Sequence, residues 1–263
     1  MKGAIQVNIQ ILGPEFQGKE SFDGGKINAQ KPLGFSGQGA VTVRLGPLFY
    51  WAWGHAESAG GIGFHPHQGF EILSYGIRGK GLHRDTLGTE SYLEAGDIQL
   101  MQAGSGLQHA ESVEAGFESF QIWLEPYLND AVRRKPTYSL FKHKQFPRSS
   151  QDGVTVKTIL GEESPIQQLV ADARMFDVEI EPGASYIHRI MPNRTLAALA
   201  IRGDGGSFLS SGREPVAFKQ KDFAIIQSEQ EGEISIRPEG EKLRIFLIEV
   251  PAEVEYPLYK KAR

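Results

Sequence analysis

The chain has 263 residues, enough for one large domain or two medium-sized domains, each with its own hydrophobic core. Hydrophobic residues make up 40% of it and charged residues 23%, which is typical of a globular protein. The formal net charge of −4 provides no basic field that would hold a phosphate backbone, so we expect no direct nucleic-acid binding.

Cysteine is absent, which excludes disulfide bonds, thiolate metal ligands and a cysteine nucleophile, and which favours a cytoplasmic location. No apolar run approaches the roughly 18 residues of a membrane-spanning helix, and the first residues carry no apolar stretch of signal-peptide length. We therefore expect a cytoplasmic protein without membrane association.

Short strands separated by glycine turns dominate the pattern from residue 40 onward. Residues 40–45 alternate apolar and polar side chains, and residues 48–53 are rich in aromatic side chains. Between residues 71 and 124, strand-like runs follow one another with glycines at the turns. This pattern indicates a sandwich or barrel rather than alternating strands and helices.

Two pairs of candidate metal ligands lie in this region. His65 and His67 are one residue apart on a strand-like segment, so both imidazoles point to the same face. His109 and Glu111 repeat this spacing after a glycine turn. Three imidazoles and one carboxylate suit Fe, Mn, Co, Ni, Cu or Zn and leave coordination positions for water or substrate. These four residues predict one divalent transition metal inside the barrel.

The second half of the chain resembles the first half at an offset of 124 or 125 residues. Three segments recur in the same order: residues 77–81 as 201–205, residues 96–102 as 221–227, and residues 120–124 as 245–249. A single match would carry little weight, but three in register indicate a duplicated domain.

The second copy of the duplicated domain does not repeat the candidate ligands. The residues matched to the four candidate ligands are Arg189, Met191, Ile234 and Ile236, and none of them repeats the ligand it matches. His188 lies close to the first pair's matched position, and we expect it to have no partners. A polar segment at residues 129–147 is the predicted linker. We therefore expect a metal-binding domain at residues 1–130 and a domain without metal ligands at residues 131–263.

Three other features have competing interpretations. Glu71 shares the face of His67 and is interpreted as a hydrogen-bonding carboxylate at a strand end, with a role at the metal as the alternative. His83 lies in a Leu-His-Arg-Asp run similar to a protein-kinase catalytic loop, but Glu90 stands where that loop has asparagine, so we interpret it as a hairpin residue. The aromatic side chains are predicted to fill the barrel, with a subset lining a planar, apolar pocket.

The segments that carry the histidines resemble the pirin family of bicupins. The resemblance covers roughly residues 40–126 and is closest at residues 64–71, 81–88 and 96–111. It implies an all-β bicupin of two stacked antiparallel cupin barrels, which are jelly-roll-like, with a metal, commonly iron, in the N-terminal barrel. The family's ligands fall on the residues already chosen from spacing: His65, His67, His109 and Glu111.

The resemblance also implies two different activities. One is quercetin 2,3-dioxygenase-type cleavage of a flavonol or similar planar enol, in which Glu111 would be the catalytic acceptor of the substrate's hydroxyl proton. The other is non-catalytic, metal-dependent regulation through a protein partner. A third interpretation is a bicupin that holds a metal without either function. Gln68 stands where the family usually has arginine, and Gln102 where threonine is common; these departures bear on the substrate rather than on the fold.

Overall fold

The structure, a computed structural model, describes residues 7–35 and 37–259. Contacts divide them into two compact units, each named here as a barrel. The first barrel is made of residues 16–145, 168–171 and 255–259, apart from the undescribed residue 36. The second barrel is made of residues 7–15, 146–167 and 172–254.

The described residues form twenty-two β-strands and very little helix. The strands are β1 Val7–Leu12, β2 Gly18–Phe22, β3 Ile27–Leu33, β4 Leu48–Ala56, β5 Gly60–His67, β6 Glu71–Arg78, β7 Lys80–Asp85, β8 Glu90–Glu94, β9 Ile98–Gln102, β10 Leu107–Val113, β11 Glu118–Leu124, β12 Thr137–Phe141, β13 Arg148–Gln151, β14 Val154–Leu160, β15 Arg174–Ile180, β16 Tyr186–Ile190, β17 Arg194–Arg202, β18 Gly205–Ser210, β19 Val216–Lys219, β20 Phe223–Ser228, β21 Gly232–Pro238 and β22 Leu243–Pro251. The helical segments are α1 Leu128–Ala131 and the 3-10 turns Pro14–Phe16, Asp23–Gly25 and His143–Gln145. None of the helices in this part of the chain is long and apolar enough to cross a membrane.

Two antiparallel sheets build the first barrel. One contains seven strands in the order β12-β9-β6-β11-β4-β3-β2, and the other contains four in the order β5-β10-β7-β8. β11 alternates buried and half-buried side chains, the period of a strand with one face in the core. Its neighbours β4 and β6 are buried along most of their length and bring Trp51, Trp53 and Tyr75 into the core. The larger sheet therefore supplies most of the hydrophobic core, and the smaller sheet carries His65, His67 and His109.

The second barrel repeats this arrangement strand for strand. Its sheets have the orders β1-β20-β17-β22-β15-β14-β13 and β16-β21-β18-β19. The core is formed by apolar residues of both sheets, with Leu196, Ile226 and Leu247 from the larger and Phe208 and Ile236 from the smaller. The duplication predicted from the sequence is therefore confirmed by the equivalent order of the strands.

Two strands belong to a different barrel from their neighbours in the sequence. β1 pairs with β20, and β12 pairs with β9. A division at residue 130 would assign β1 to the first domain and β12 to the second, whereas the contacts assign them the other way round. A strand pairs with the sheet edge that it reaches in three dimensions, and its local sequence pattern does not specify that edge.

The strand pairing corrects the match between the two histidine-bearing strands. Across β5 and β10, His65 lies opposite His109. Across β16 and β21, His188 lies opposite Ile234, the residue matched to His109. His188 is therefore the counterpart of His65, and the expectation that Arg189 would be was wrong. Matched residues of the two barrels are 123 positions apart at β5 and 125 at β10. An offset taken from other strands therefore misplaces the match of β5.

Candidate metal centre

Three imidazoles converge in the first barrel. The candidate ligand nitrogens of His65, His67 and His109 all lie within 4.8 Å of one another. Strand β5 carries the first two side chains and β10 the third, with His109 directly opposite His65. Alternation along β5 places His67 on the same face. Nε2 of His67 is 3.1 Å from Nε2 of His109. The pairing of two strands thus unites residues that lie 42 positions apart in the sequence.

Burial keeps two of these imidazoles uncharged. Burial, followed by the influence of His65, lowers the pKa of His67 to about 4. Burial, followed by the influence of the neighbouring histidines, lowers the pKa of His109 to about 2. Histidine binds transition metals through a neutral imidazole nitrogen, so both side chains have the required protonation state at neutral pH.

Glu111 lies two residues after His109 on β10 but outside the imidazole cluster. A register shift after His109 interrupts the pairing with β5 and places Glu111 opposite Ile62. Its carboxylate accepts a hydrogen bond from Nε2 of Gln121 at 3.3 Å. Burial raises the pKa of Glu111 above its ordinary value, against the lowering effects of two nearby histidines and this hydrogen bond. The structure therefore brings together three of the four predicted ligands and not Glu111.

Further polar side chains lie next to His109, on the side of its Nδ1 atom. Nδ1 of His109 is 3.4 Å from Nδ1 of His83, and Nε2 of His83 is 2.9 Å from Oδ2 of Asp85. Burial would raise the pKa of Asp85, but hydrogen bonds from His83 and from the amides of Thr89 and Leu87 lower it below its ordinary value. Interpreting His83 as an ordinary hairpin residue missed this position. Its i, i+2 spacing to Asp85 on one strand, the same spacing as in the ligand pairs, is the signal that could have revealed it.

A cavity of about 90 Å³ lies inside the first barrel. Its lining includes Glu111, His83, Gln121 and Tyr50. An apolar cavity that takes up a benzene ring measures roughly 150 Å³. The partly open pocket beside Glu111 is therefore large enough for water and has less enclosed space than a cavity that takes up a benzene ring.

Aromatic side chains pack against the imidazole cluster. The ring of Trp123 lies edge-on to His67 with the ring centroids 5.0 Å apart, and it stacks on Tyr50 at 4.4 Å. Phe49 and Phe70 pack in the same group. Of the aromatic residues predicted to fill the barrel, Trp123 is thus one that also touches a candidate ligand.

Glu71 is a structural hydrogen-bond acceptor. Its buried carboxylate accepts hydrogen bonds from the backbone amides of Val170 and Ala171 and from Nε2 of Gln102, at 2.7 to 2.9 Å for the shortest contact of each. Burial raises the pKa of Glu71 although these hydrogen bonds oppose it. The interpretation of Glu71 as a hydrogen-bonding carboxylate is confirmed, because it fastens residues 168–171 to the first barrel.

His188 of the second barrel is buried and paired, which corrects the expectation that it has no partners. Its Nε2 is 2.8 Å from Oε2 of Glu249, and its Nδ1 is 3.2 Å from the hydroxyl of Tyr186. The imidazole therefore belongs to a hydrogen-bonded network of the second barrel's core.

Sequence comparisons relate the chain to proteins named pirin. Residues 49–124 match the sequence profile of the Pirin family. Pirin from Rattus norvegicus is 33% identical over 210 residues, which cover 78% of this chain and 69% of that protein. A Pseudomonas aeruginosa protein named "Putative quercetin 2,3-dioxygenase" is 37% identical over 139 residues, covering 51% of this chain and 57% of that protein. The chain spans about half the length of the Arabidopsis thaliana and Homo sapiens pirins that it matches.

Solved structures share the fold. The structure of GK1651 from Geobacillus kaustophilus has a TM-score of 0.80 at 22% identity and covers 97% of this chain and 100% of that chain. The bacterial pirin YhhW from Escherichia coli, solved in complex with nickel(II), has a TM-score of 0.74 at 21% identity and covers 94% and 100%. Likeness at these identities establishes the fold, and the predicted all-β bicupin is confirmed.

Proposed function

This chain belongs to the pirin family, and from that premise we propose that it is a metal-dependent oxygenase of the quercetin 2,3-dioxygenase type. His65, His67 and His109 would hold the metal, with iron as the first choice and Mn, Co, Ni, Cu or Zn as alternatives. The observation that carries the proposal is the convergence of three imidazole nitrogens within 4.8 Å. Support also comes from the nickel(II) complex of the Escherichia coli pirin and from the dioxygenase name of the Pseudomonas aeruginosa relative.

The imidazole spacing fits a single transition-metal ion. Two nitrogens that each lie about 2.1 Å from one ion, at right angles, are roughly 3 Å apart. Nε2 of His67 and Nε2 of His109 are separated by 3.1 Å. Because burial keeps both imidazoles neutral, a cation meets no positive charge on these two side chains at neutral pH.

Glu111 is the predicted fourth ligand and the residue that would accept the substrate's hydroxyl proton. Its raised pKa suits this role, because a general base is most effective when its pKa is close to the working pH. A metal ion bound at the imidazoles would supply a Lewis acid for the enol oxygens of the substrate. Gln121, which hydrogen-bonds the carboxylate at 3.3 Å, would hold Glu111 in position.

The substrate would reach the centre from the exposed side of the strand that carries the first two histidines. His65 and His67 are only half-buried, so this side of the cluster is accessible. Trp123 beside His67 offers an aromatic surface against which a planar ligand can pack. The proposed substrate class is therefore a flavonol or a similar planar enol that presents its oxygen-bearing edge to the metal.

An assay with quercetin tests the enzymatic proposal. Protein loaded with iron(II) is mixed with quercetin in air and, separately, without oxygen. We expect the flavonol absorbance to disappear in air only. An unchanged flavonol band in air, on protein shown to contain stoichiometric metal, would reject the enzymatic proposal.

A metal-dependent binding protein without turnover is the second candidate function. The observation that favours it is an exposed apolar side chain on the metal-bearing strand: Phe64, 57% exposed, lies beside His65. Strand β5 is also an edge of its sheet, where another chain can add by backbone pairing. Removing the metal should then change the recovery of a protein partner while turnover stays at background. Equal recovery with and without metal would argue against this function.

A further inference from the structure

We propose that Asp85 and His83 are positioning residues that fix which nitrogen of His109 carries the proton, so that its Nε2 is free for the metal. This inference rests on the proposed metal centre and concerns two residues that contact neither metal nor substrate. It follows from a continuous line of hydrogen bonds that runs from Asp85 through His83 to His109, in which the donor of each contact determines the donor of the next.

The line starts at a carboxylate whose role is fixed by the backbone. Oδ1 of Asp85 accepts hydrogen bonds from the amides of Leu87 at 2.9 Å and Thr89 at 3.0 Å. Oδ2 lies 2.9 Å from Nε2 of His83. Because an ionised carboxylate only accepts hydrogen bonds, Nε2 of His83 is the donor in this contact.

The donor at Nε2 then determines the remaining protons. In the neutral form of His83, donation from Nε2 leaves a lone pair at Nδ1, and the following contacts are those of this form. Nδ1 of His83 faces Nδ1 of His109 at 3.4 Å, so His109 is the donor there. The other nitrogen of His109, Nε2, is left with its lone pair and lies 3.1 Å from Nε2 of His67. The line thus places the free lone pair of His109 inside the imidazole cluster.

Packing holds these side chains in one arrangement. Asp85, His83 and His109 are all buried, and the ring of Tyr138 stacks on that of His83 with centroids 4.5 Å apart. The residues lie on neighbouring strands, with His109 directly opposite Asp85 in the pairing of β10 with β7. Side chains on paired strands have little freedom to rotate away, so the hydrogen-bonded line is preformed before a metal arrives.

The second barrel provides an internal comparison, because it lacks the whole line. In the pairing of β18 with β21, Phe208 lies opposite Ile236 and Ser210 lies opposite Ile234. In the pairing of β7 with β10, the equivalent pairs are His83 opposite Glu111 and Asp85 opposite His109. The fold therefore forms without these hydrogen-bonding residues. They are present in the barrel that has the imidazole cluster, and all of them are replaced in the other barrel.

Asp85→Asn is the informative variant. The oxygen of the introduced carboxamide can keep the hydrogen bonds from the amides of Leu87 and Thr89, which turns the carboxamide nitrogen toward His83. His83 must then accept at Nε2 and donate from Nδ1, so His109 must accept at Nδ1 and carry its proton on Nε2. The substitution changes almost no volume and moves the proton onto the nitrogen that faces the metal site.

Imidazole ¹⁵N NMR on the metal-free protein tests the proposal without using activity. We expect His109 to be protonated on Nδ1 in the unaltered protein and on Nε2 in Asp85→Asn. Titration with nickel(II) should show affinity about 10- to 100-fold weaker for Asp85→Asn, the range found when a hydrogen-bond partner of a metal-bound histidine is removed. Arg84→Gln, an exposed change on the same strand, is the matched control and should alter neither result.

Each outcome decides one of the two proposals. Protonation of His109 on Nε2 in the unaltered protein, or unaltered nickel affinity in a folded Asp85→Asn, would overturn the positioning role. If Asp85→Asn does not fold, the protonation state in the unaltered protein decides. If the unaltered protein takes up no nickel, the metal centre fails while Nδ1 protonation still supports the hydrogen-bonded line. Metal uptake without quercetin turnover would reject only the oxygenase.

Discussion

His188 in the second barrel occupies the strand position that His65 occupies in the first. His65 lies opposite His109 in the pairing of β5 with β10, and His188 lies opposite Ile234 in the pairing of β16 with β21. His188 is bonded through Nε2 to Glu249 at 2.8 Å and has no imidazole opposite it. The same residue type at the same position therefore belongs to a candidate metal centre in one barrel and to a buried hydrogen bond with a carboxylate in the other.

Removing one clustered imidazole should abolish stoichiometric metal binding. His67→Ala or His109→Ala leaves two imidazoles in the cluster, and loss of a direct ligand weakens a site more than loss of its hydrogen-bond partners does. His188→Ala, which removes the equivalent histidine of the second barrel, should leave metal content unchanged. Elemental analysis of the purified variants measures this. Full metal content in either of the first two variants would refute the site.

Glu111→Gln should separate metal retention from turnover. The three imidazoles remain, so we expect the variant to keep metal with an affinity between those of the unaltered protein and His109→Ala. The amide cannot accept the substrate's proton, so oxygen-dependent loss of quercetin should fall by at least about 100-fold. Metal titration and the quercetin assay on the same preparation give both quantities. Turnover at the original rate would remove Glu111 from the proposed mechanism.

Glu249 should stabilise the second barrel in a pH-dependent way. It is buried, its Oε1 lies 2.8 Å from Nε of Arg194 and its Oε2 bonds His188. Burial would raise the pKa of Glu249, but His188 and the charges of Arg174 and Arg194 lower it below its ordinary value of 4.5. A lowered pKa means that the folded state binds the proton less tightly than the unfolded state. The stabilisation is therefore present above about pH 4.5 and is lost as the pH falls through the folded-state pKa.

Glu249→Gln tests this dependence. At pH 7 we expect the free energy of unfolding of the second barrel to fall by about 2 kcal/mol, because Arg194 loses its buried carboxylate partner and keeps only the exposed Asp172. The difference from the unaltered protein should shrink toward pH 3. Denaturant unfolding at both pH values measures it, with the exposed Glu253→Gln as the control. A difference that stays constant with pH would show that the ionised carboxylate is not the source of the stability.

Glu71 should govern the local stability of residues 168–171. Glu71→Ala leaves the amides of Val170 and Ala171 without their acceptor, at a cost of about 2 to 4 kcal/mol. Glu71→Gln retains one acceptor oxygen and should cost less. Hydrogen exchange at these two amides reports the local opening directly. Protection that is unchanged in Glu71→Ala would contradict the role assigned to this carboxylate.

The sequence alone was sufficient for the fold class and for the three imidazoles. Alternation along a strand is a local property, so two histidines at i and i+2 predict a shared face without knowledge of the partner strand. The duplication was also readable, because turns and apolar strands recur in order. The counterpart of His65 was misjudged by one residue, as Arg189 instead of His188. A change of loop length shifts the offset between the two barrels locally, and the pattern of apolar residues does not reveal it.

Tertiary structure alone decided which polar side chains meet. The spacing of His83 and Asp85 indicates a shared face but not that His83 lies 3.4 Å from His109, since this contact depends on the register of β7 with β10. The i, i+2 spacing likewise does not indicate that the carboxylate of Glu111 bonds Gln121 and lies outside the imidazole cluster. Strand register is set by packing and pairing between distant segments, and each residue of shift reverses the face of every side chain. The sequence therefore determined the set of ligand candidates, and the pairing of the strands determined how they are arranged and supported.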